Sequence, residues 1–381
     1  MHPPVLIADA AGLAQLVQTL EACHAIAVDT ESNSLHAYRE RVCLIQFSTP
    51  SEDYLVDAIA LPDLSALAPM FANPAQQKIF HAAEYDVTCL GRDYGFTFSN
   101  LFDTMSAART LGWPQVGLAA ILEARFGVTL NKAYQKADWA RRPLTPEQID
   151  YARHDTHYLV ALRDLQVQEL SAAGHWEEAQ EDFARLARLP ASVAATADPM
   201  AFWRVKGAYD LTPAQAALLR AVHAFREAEA ARLDRPPFKV MDEATLLALA
   251  RHAPANLEDL RRLARVPPPQ VQRYGRGLLE AIEAGRHAPP VKPPVTPREP
   301  DDIRDRHDRL RAWRKQRAQT RGVESDVILP KSTLRDLARR PPVTLDDLAA
   351  IADFGPWRRA LYGPEILALL ATERAPALPS M

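Results

Sequence analysis

An internal repeat at a constant offset of 88 residues constrains this chain more than any other feature of its sequence. "ATLLALARHAPANLEDLRRLA" from Ala244 lies over "STLRDLARRPPVTLDDLAAIA" from Ser332 without a gap, so that Leu246, Leu249, Leu257 and Leu260 meet Leu334, Leu337, Leu345 and Leu348. The register persists outward: Phe225-Arg226 falls on Trp313-Arg314, and Tyr274-Gly275 on Tyr362-Gly363. Leucines align by chance in such a composition. Aromatic-Arg, Thr-Leu and Tyr-Gly pairs at one offset do not, and they mark a duplicated unit. Apolar positions recur at three and four and prolines interrupt them, so each copy reads as a bundle of short helices, and no convincing strand follows residue 160 or so. The copies are joined by "HAPPVKPPVTPREP" (287–300), whose six prolines favour an extended, semi-rigid spacer.

The first 190 residues have a different grammar. Segments 5–8, 25–30, 42–49, 53–57 and 77–82 are short and rich in Val, Ile and Leu, as strands of a covered sheet are. Helical patterns fall at about 12–22, 64–72, 84–94, 103–111 and 117–126, and a longer one starts near 146. Only a tight turn separates 42–49 from 53–57, which predicts a hairpin and hence a mixed sheet. The expected class is α/β, a sheet flanked by helices, followed by two all-α bundles.

Composition excludes several alternatives. No apolar run reaches the 18 or so residues a membrane helix needs, and "MHPPVLIADA" lacks both a basic leader and a long apolar core, so the expectation is a cytoplasmic protein with no membrane partner. Cys23, Cys43 and Cys89 are too few and too scattered for a disulfide framework or a zinc site, and they read as small apolar residues. The net charge of −3 conceals a polarity: residues 1–190 hold 14 Lys/Arg against 24 Asp/Glu, and residues 191–381 hold 31 against 24. An acidic half suits cations, and a basic half suits a polyanion.

The acidic half contains an ordered set of carboxylates. Asp29 and Glu31, in "AIAVDTESNSL", are two apart on an extended segment and so point to one face. Asp86 follows the strand "QKIF", in the first turns of a helix, and Tyr151 and Asp155 are neighbours four apart on a later helix. Four carboxylates converging without basic partners raise one another's pKa and cannot all ionise. Divalent cations reverse that cost. Oxygen-only ligands suit Mg²⁺ or Mn²⁺, and two such ions about 3.5–4 Å apart can promote phosphodiester cleavage.

This order, Asp-x-Glu, then Asp, then Tyr-x-x-x-Asp, resembles the tyrosine subclass of the DEDD superfamily of 3′→5′ exonucleases. The position that carries histidine in the other subclass is Asp150, and His154 projects in a different direction. "DTESNSLHAYRERVCLIQFST", "HAAEYDVTCL" and "ADWARRPLTPEQIDYARHDTHYL" look like ribonuclease D motifs, with Thr156-His157 and Glu84 as small departures, and the two repeats resemble paired HRDC domains. The resemblance implies a ribonuclease H-like exonuclease domain over 1–190 and HRDC domains over 205–286 and 301–375. It implies two divalent metals, Mg²⁺ or Mn²⁺, held by Asp29, Glu31, Asp86 and Asp155, with Tyr151 orienting the attacking water. The partner implied is RNA with a single-stranded 3′ end, transfer RNA precursors being the family's usual substrate, with no obligate protein partner. DNA as substrate and a silent nucleic-acid adaptor are the rival readings.

Candidate RNA contacts lie in "RLRAWRKQRAQTR" (309–321), where six of thirteen residues are basic and none acidic. Arg311, Arg314 and Arg317 could track phosphates and Trp313 could stack on a base. Against stacking, Trp313 aligns with Phe225, which suggests a core position. Arg141 and Arg142 could hold substrate near the metals or form a loop ion pair.

Overall fold

The computed structural model describes residues 3–191, 198–294 and 298–371. Residues 295–297 of the proline-rich join and 372–375 of the expected second HRDC domain lie outside the described residues. The described chain divides into two compact units, one of 3–31, 42–191 and 298–371, the other of 32–41 and 198–294.

In the first unit, β1 (Val5–Ile7), β2 (Ala25–Ser32), β3 (Val42–Ser48), β4 (Asp53–Asp57), β5 (Gln77–Phe80) and β6 (Leu101–Asp103) form one sheet in the order β1-β4-β3-β2-β5-β6. β3 and β4 are antiparallel, whereas the pairs β1–β4, β2–β5 and β5–β6 are parallel. This is the mixed sheet that the close spacing of 42–49 and 53–57 predicts. Every residue of β3 and β4 is buried, which explains why their sequences are mainly apolar and do not alternate, with Gln46, Ser48, Asp53 and Asp57 as buried polar exceptions. β5 stops at Phe80, short of the expected 82, because Ala82 takes a left-handed φ of 63° that strand pairing does not accept.

The helices of this part are α1 (Ala10–Glu21), α2 (Ala68–Ala72), α3 (Glu84–Tyr94), α4 (Thr104–Thr110), α5 (Leu118–Phe126), α6 (Pro146–His157), α7 (Leu159–Ala172) and α8 (Trp176–Ala187). The helix expected over 64–72 is split into a 3₁₀ turn, Ser65–Leu67, and α2, with proline in the first turn of α2. One core runs under the sheet from Leu16 and Ile26 to Phe102 and Phe183. Cys43 and Cys89 are buried, Cys23 is half-buried, and all three are free thiols.

The first repeat, in the second unit, comprises α9 (Pro213–Leu233), α10 (Pro237–Val240), α11 (Glu243–His252), α12 (Leu257–Arg262) and α13 (Pro268–His287). Residues 32–41 group with it: Tyr38 packs against its core, and the Tyr38 and Arg39 backbone N–H groups donate to the Asp234 carboxylate at 3.1 and 3.3 Å. The second repeat, in the first unit, comprises α14 (Asp301–Arg321), α15 (Ser325–Ile328), α16 (Lys331–Arg339) and α17 (Pro356–Ala371), with a 3₁₀ turn, Asp347–Ala350, in the place of α12. Each of these four helices begins 88 residues after its counterpart in the first repeat.

The repeated residues have a common packing reason. Tyr274 meets Phe225 edge-on at 6.4 Å between ring centroids, and Tyr362 meets Trp313 edge-on at 5.6 Å. A Cβ on Gly275 would stand 2.6 Å from Leu257 Cδ2, and one on Gly363 would stand 2.8 Å from Leu345 Cδ2. Glycine there admits the leucine against the helix backbone.

Within the first unit the second repeat is joined to α8 through buried charge. Glu178 is fully buried and accepts from Arg321 at 2.6 Å, while Arg358, 1% exposed, donates to Glu181 at 3.0 Å and Asp182 at 2.8 Å. Arg109 of α4 adds contacts to Glu324 and Asp326. At Gly355 a Cβ would collide with Glu181, so the backbone comes flush against that side chain.

Candidate active site

Each element that carries an acid is fixed by a local device. α3 starts where it does because the Ala83 N–H donates to the buried Asp103 carboxylate at 2.7 Å, and the other oxygen of Asp103 accepts from Ser106 N at the start of α4. β6, not predicted from the sequence, thus supplies the residue that seats Asp86. α6 opens with a capping box: Thr145 and Gln148 exchange hydrogen bonds at 3.0 and 3.2 Å, with Pro146 at the first position. That start places Tyr151 and Asp155 on the face that lines the site.

α6 is then pinned to the sheet. Thr156, fully buried, exchanges a hydrogen bond with Ser48 at 2.7 Å, and His157 Nδ1 lies 2.9 Å from Asp53. The loop before α6 is held by Arg142, whose guanidinium donates to both Asp57 oxygens at 2.6 and 2.7 Å and to the Cys43 and Trp139 carbonyls. Trp139, 1% exposed, packs against Tyr151 at 5.9 Å between centroids, and Tyr134 meets Tyr151 edge-on at 6.0 Å.

Asp29, Glu31, Tyr151 and Asp155 line one cavity of about 530 Å³, together with Thr30, His81, Asn131, Lys132 and Gln135. Asp86 is 4% exposed, and its carboxylate accepts from the Thr30 hydroxyl at 2.5 Å. A second cavity of about 370 Å³ shares Asn131, Tyr151 and Asp155 and adds Glu147, Asp150 and His154. The structure therefore draws together the acids that the sequence separates by up to 126 residues.

Burial is the largest influence on all four acids, and neighbouring carboxylates add to it, the other acids of the set for Asp29, Glu31 and Asp155 and Asp103 for Asp86. Asp29 lies well above the usual carboxylate range through burial and then the charges of Asp86, Asp155 and Glu31. Glu31 is raised in the same way by burial, Asp155 and Asp86. Burial pushes Asp86 up to about 7 against the opposing Thr30 hydrogen bond, and burial with the Asp86 charge pushes Asp155 to about 7. Tyr151 is raised by burial and the charges of Asp155, Glu31 and Asp29, so its phenol keeps its proton. Among the described residues no group of three or more His, Cys, Asp or Glu side chains forms a ready-made ion cage. The acids instead share one electrostatic basin, and hard oxygen donors in such a basin suit hard divalent cations.

The sequence reading missed several residues at this site. Thr30 is the hydroxyl between the two acids of Asp-x-Glu, and Lys132, Asn131 and Gln135 come from a loop without a distinctive pattern. His81 Nδ1 lies 2.8 Å from the Thr104 hydroxyl, which itself donates to Phe80 O at 3.1 Å, so His81 donates from Nδ1 and leaves Nε2 as an acceptor. Burial lowers its pKa, which favours that neutral form.

The structure corrects two of the arginine assignments and narrows a third. Arg314 is buried at 8% exposure and donates to the Leu329 carbonyl at 2.8 Å, so it cannot reach a phosphate. Arg142 is committed to Asp57, the ion-pair alternative. Arg317 is paired with Glu365 at 2.7 Å, and Trp313 Nε1 donates to the same carboxylate at 2.8 Å, in keeping with a packed Trp313. Arg141 and Arg311 are exposed.

The fold and the acid set define a class, a 3′→5′ exonuclease followed by HRDC modules. A family model described as 3′-5′ exonuclease matches residues 4–170, and one for the HRDC domain matches 215–282 and 304–370. The chain is 31% identical to ribonuclease D of Acidiphilium cryptum over 96% of its own length and 93% of that protein's. It belongs to the ribonuclease D family of 3′→5′ exoribonucleases. It is also 45% identical over 159 residues to "Protein RRP6-like 3" of Arabidopsis thaliana, but that match spans 18% of the plant protein. Among solved structures, the catalytic core of RRP6 from Trypanosoma brucei superposes with a TM-score of 0.67 at 28% identity, covering 74% of this chain and 79% of that one. Escherichia coli RNase D shares the fold with a TM-score of 0.70 at 24% identity, covering 98% of this chain and all of the other.

Proposed function

We propose that this exoribonuclease removes nucleotides one at a time from single-stranded 3′ ends of RNA by a two-metal mechanism, releasing nucleoside 5′-monophosphates. Its substrates are precursors of transfer RNA in the cytoplasm, the class that the family resemblance implies. The division into an exonuclease domain, 1–190, and HRDC domains over 205–286 and 301–375 belongs to this proposal. The observation that carries it is the shared basin of Asp29, Glu31, Asp86 and Asp155, in which the charges acting on Asp29 and Glu31 are those of the other acids.

When bound, two Mg²⁺ or Mn²⁺ ions would lower the pKa of a water and stabilise the leaving 3′ oxygen. Asp29, Glu31, Asp86 and Asp155 would hold them, and Thr30 keeps the Asp86 carboxylate aimed by its hydrogen bond. Tyr151, packed between Trp139 and Tyr134, stays protonated and orients the attacking water rather than taking its proton. Lys132, on the cavity wall, supplies positive charge to the terminal phosphate.

Hydrolysis of end-labelled RNA is expected to require added Mg²⁺ or Mn²⁺ and to stop on chelation, because repelling acids alone have no means of activating water. Turnover undiminished in excess EDTA would refute the metal reading. The same assay with DNA, single-stranded or with a 3′ overhang, tests the RNA preference. Tyr151→Phe is expected to keep the fold and metal affinity and to lose rate by roughly 10²-fold, the scale of a positioned hydrogen-bonding group. A Tyr151→Phe enzyme with the parent rate would assign that tyrosine to packing.

A further inference from the structure

His81 has no part in the cation chemistry of the four acids, yet it lines their cavity with Asp29, Glu31, Tyr151 and Asp155. It is half-buried, directly after the last residue of β5. The chain turns at the next position, where Ala82 has a φ of 63°, a conformation that residues other than glycine keep only where their surroundings impose it. Beyond the turn the Ala83 N–H is tied to Asp103. The imidazole is therefore carried on a held backbone.

What holds the ring also decides which way it is polarised. Its Nδ1 faces the hydroxyl of Thr104, a fully buried residue, and that hydroxyl gives its own proton to Phe80 O, so the proton of the pair sits on His81 Nδ1. Nε2, at the other edge of the ring, is left as an acceptor with no partner among the described residues. Burial favours this neutral ring against the pull of the Asp103 carboxylate.

An acceptor nitrogen discriminates among the parts of a nucleotide. Phosphodiester oxygens only accept, so they cannot bond to it, whereas a sugar hydroxyl donates. Ribose carries such a donor at C2′, and deoxyribose does not.

We propose that His81 Nε2 accepts a hydrogen bond from the 2′-hydroxyl of the 3′-terminal nucleotide, which makes His81 a specificity-determining residue for ribose over deoxyribose. Thr104 is then a positioning residue, since it fixes the tautomer. The proposal rests on the reading of this cavity as the site of exoribonuclease hydrolysis.

The test uses the full chain in Mg²⁺ and measures, by calorimetry, the binding of adenosine 5′-monophosphate and of its 2′-deoxy and 3′-deoxy forms. The parent is expected to bind the ribonucleotide roughly 10-fold more tightly than the 2′-deoxynucleotide, the scale of one hydrogen bond. In His81→Phe that preference should vanish, with the ratio between the ribonucleotide and the 3′-deoxynucleotide unchanged. Thr104→Val keeps the imidazole but lets the proton move to Nε2, and it should erase the 2′ preference as well. A thermal melt confirms folding, and Thr104→Val carries the test if His81→Phe does not fold. A parent that binds no nucleotide or shows no 2′ preference would overturn the proposal. So would a preference that survives in the folded variants, an equal loss for all three nucleotides, or a loss that falls on the 3′-hydroxyl instead. Because binding is read without turnover, a parent that shows the preference but leaves RNA intact would count against the nuclease reading and uphold the assignment of His81.

Discussion

Asp29→Asn is expected to abolish hydrolysis and at the same time to make the metal-free protein more stable. Loss of turnover should reach roughly 10²–10³-fold or more, the scale on which one preorganised electrostatic group counts. The stabilisation follows from the sign of the shift. Asp29 has its folded-state pKa well above the unfolded value, so its contribution is favourable below about pH 4 and is lost as pH rises towards the folded pKa. Above that range the folded protein must either ionise Asp29 against three other acids or hold a proton that the unfolded chain releases. Asparagine removes both costs. In EDTA the variant should melt higher than the parent by roughly 2–4 °C at pH 8, the shift produced by about 1 kcal/mol, and by less at pH 5. Divalent cations should raise the parent's melting temperature more than the variant's. A destabilised Asp29→Asn protein at pH 8 would show that Asp29 is held by bonds rather than strained by charge.

Removing Arg358 is expected to be among the most damaging single changes to stability. Its guanidinium is 1% exposed and bonds to Glu181, Asp182 and the Val327 and Ile328 carbonyls. Arg358→Met keeps much of the volume but leaves the carboxylates of α8 short of a counter-charge, a change that costs about 3–5 kcal/mol when a buried pair is broken from one side. Denaturant melts give the size, and a double-mutant cycle with Asp182→Asn gives the coupling. A loss below about 1 kcal/mol would mean that water screens the cluster as it does surface pairs.

Much of this was legible because it is local. The first five strands, the hairpin and the starts of α3 and α5 follow from apolar runs and turn residues. The 88-residue repeat also foretold the helix starts of the second bundle from those of the first. The hidden parts depend on partners far apart in sequence. Thr156 and His157, which look like departures from the ribonuclease D pattern, anchor α6 through Ser48 and Asp53, more than a hundred residues away. β6 has only three residues, too few to show a period, and its importance lies in the capping role of Asp103. Arg314 was misread from its basic neighbours, although its alignment with Arg226, also buried, carried the better signal: a repeated aromatic-Arg pair belongs to the bundle's architecture. The acids were legible as an ordered set, while the Thr30 hydroxyl that orients Asp86 was not, because hydroxyls seldom announce a distant partner.

The docking of α14–α17 on α8 also sets an order of events on the ribosome. The sheet can gather its own core once α8 has emerged, but Glu178, Glu181 and Asp182 then have neither Arg321 nor Arg358. Roughly 180 residues separate the end of α8 from the end of α17, so at about 5–20 residues per second the nascent domain waits on the order of ten to forty seconds with that acidic face open. During this interval the carboxylates are without the arginines that neutralise them in the finished fold, and water rather than protein must solvate them. α17 therefore closes a surface that belongs to a domain synthesised well before it.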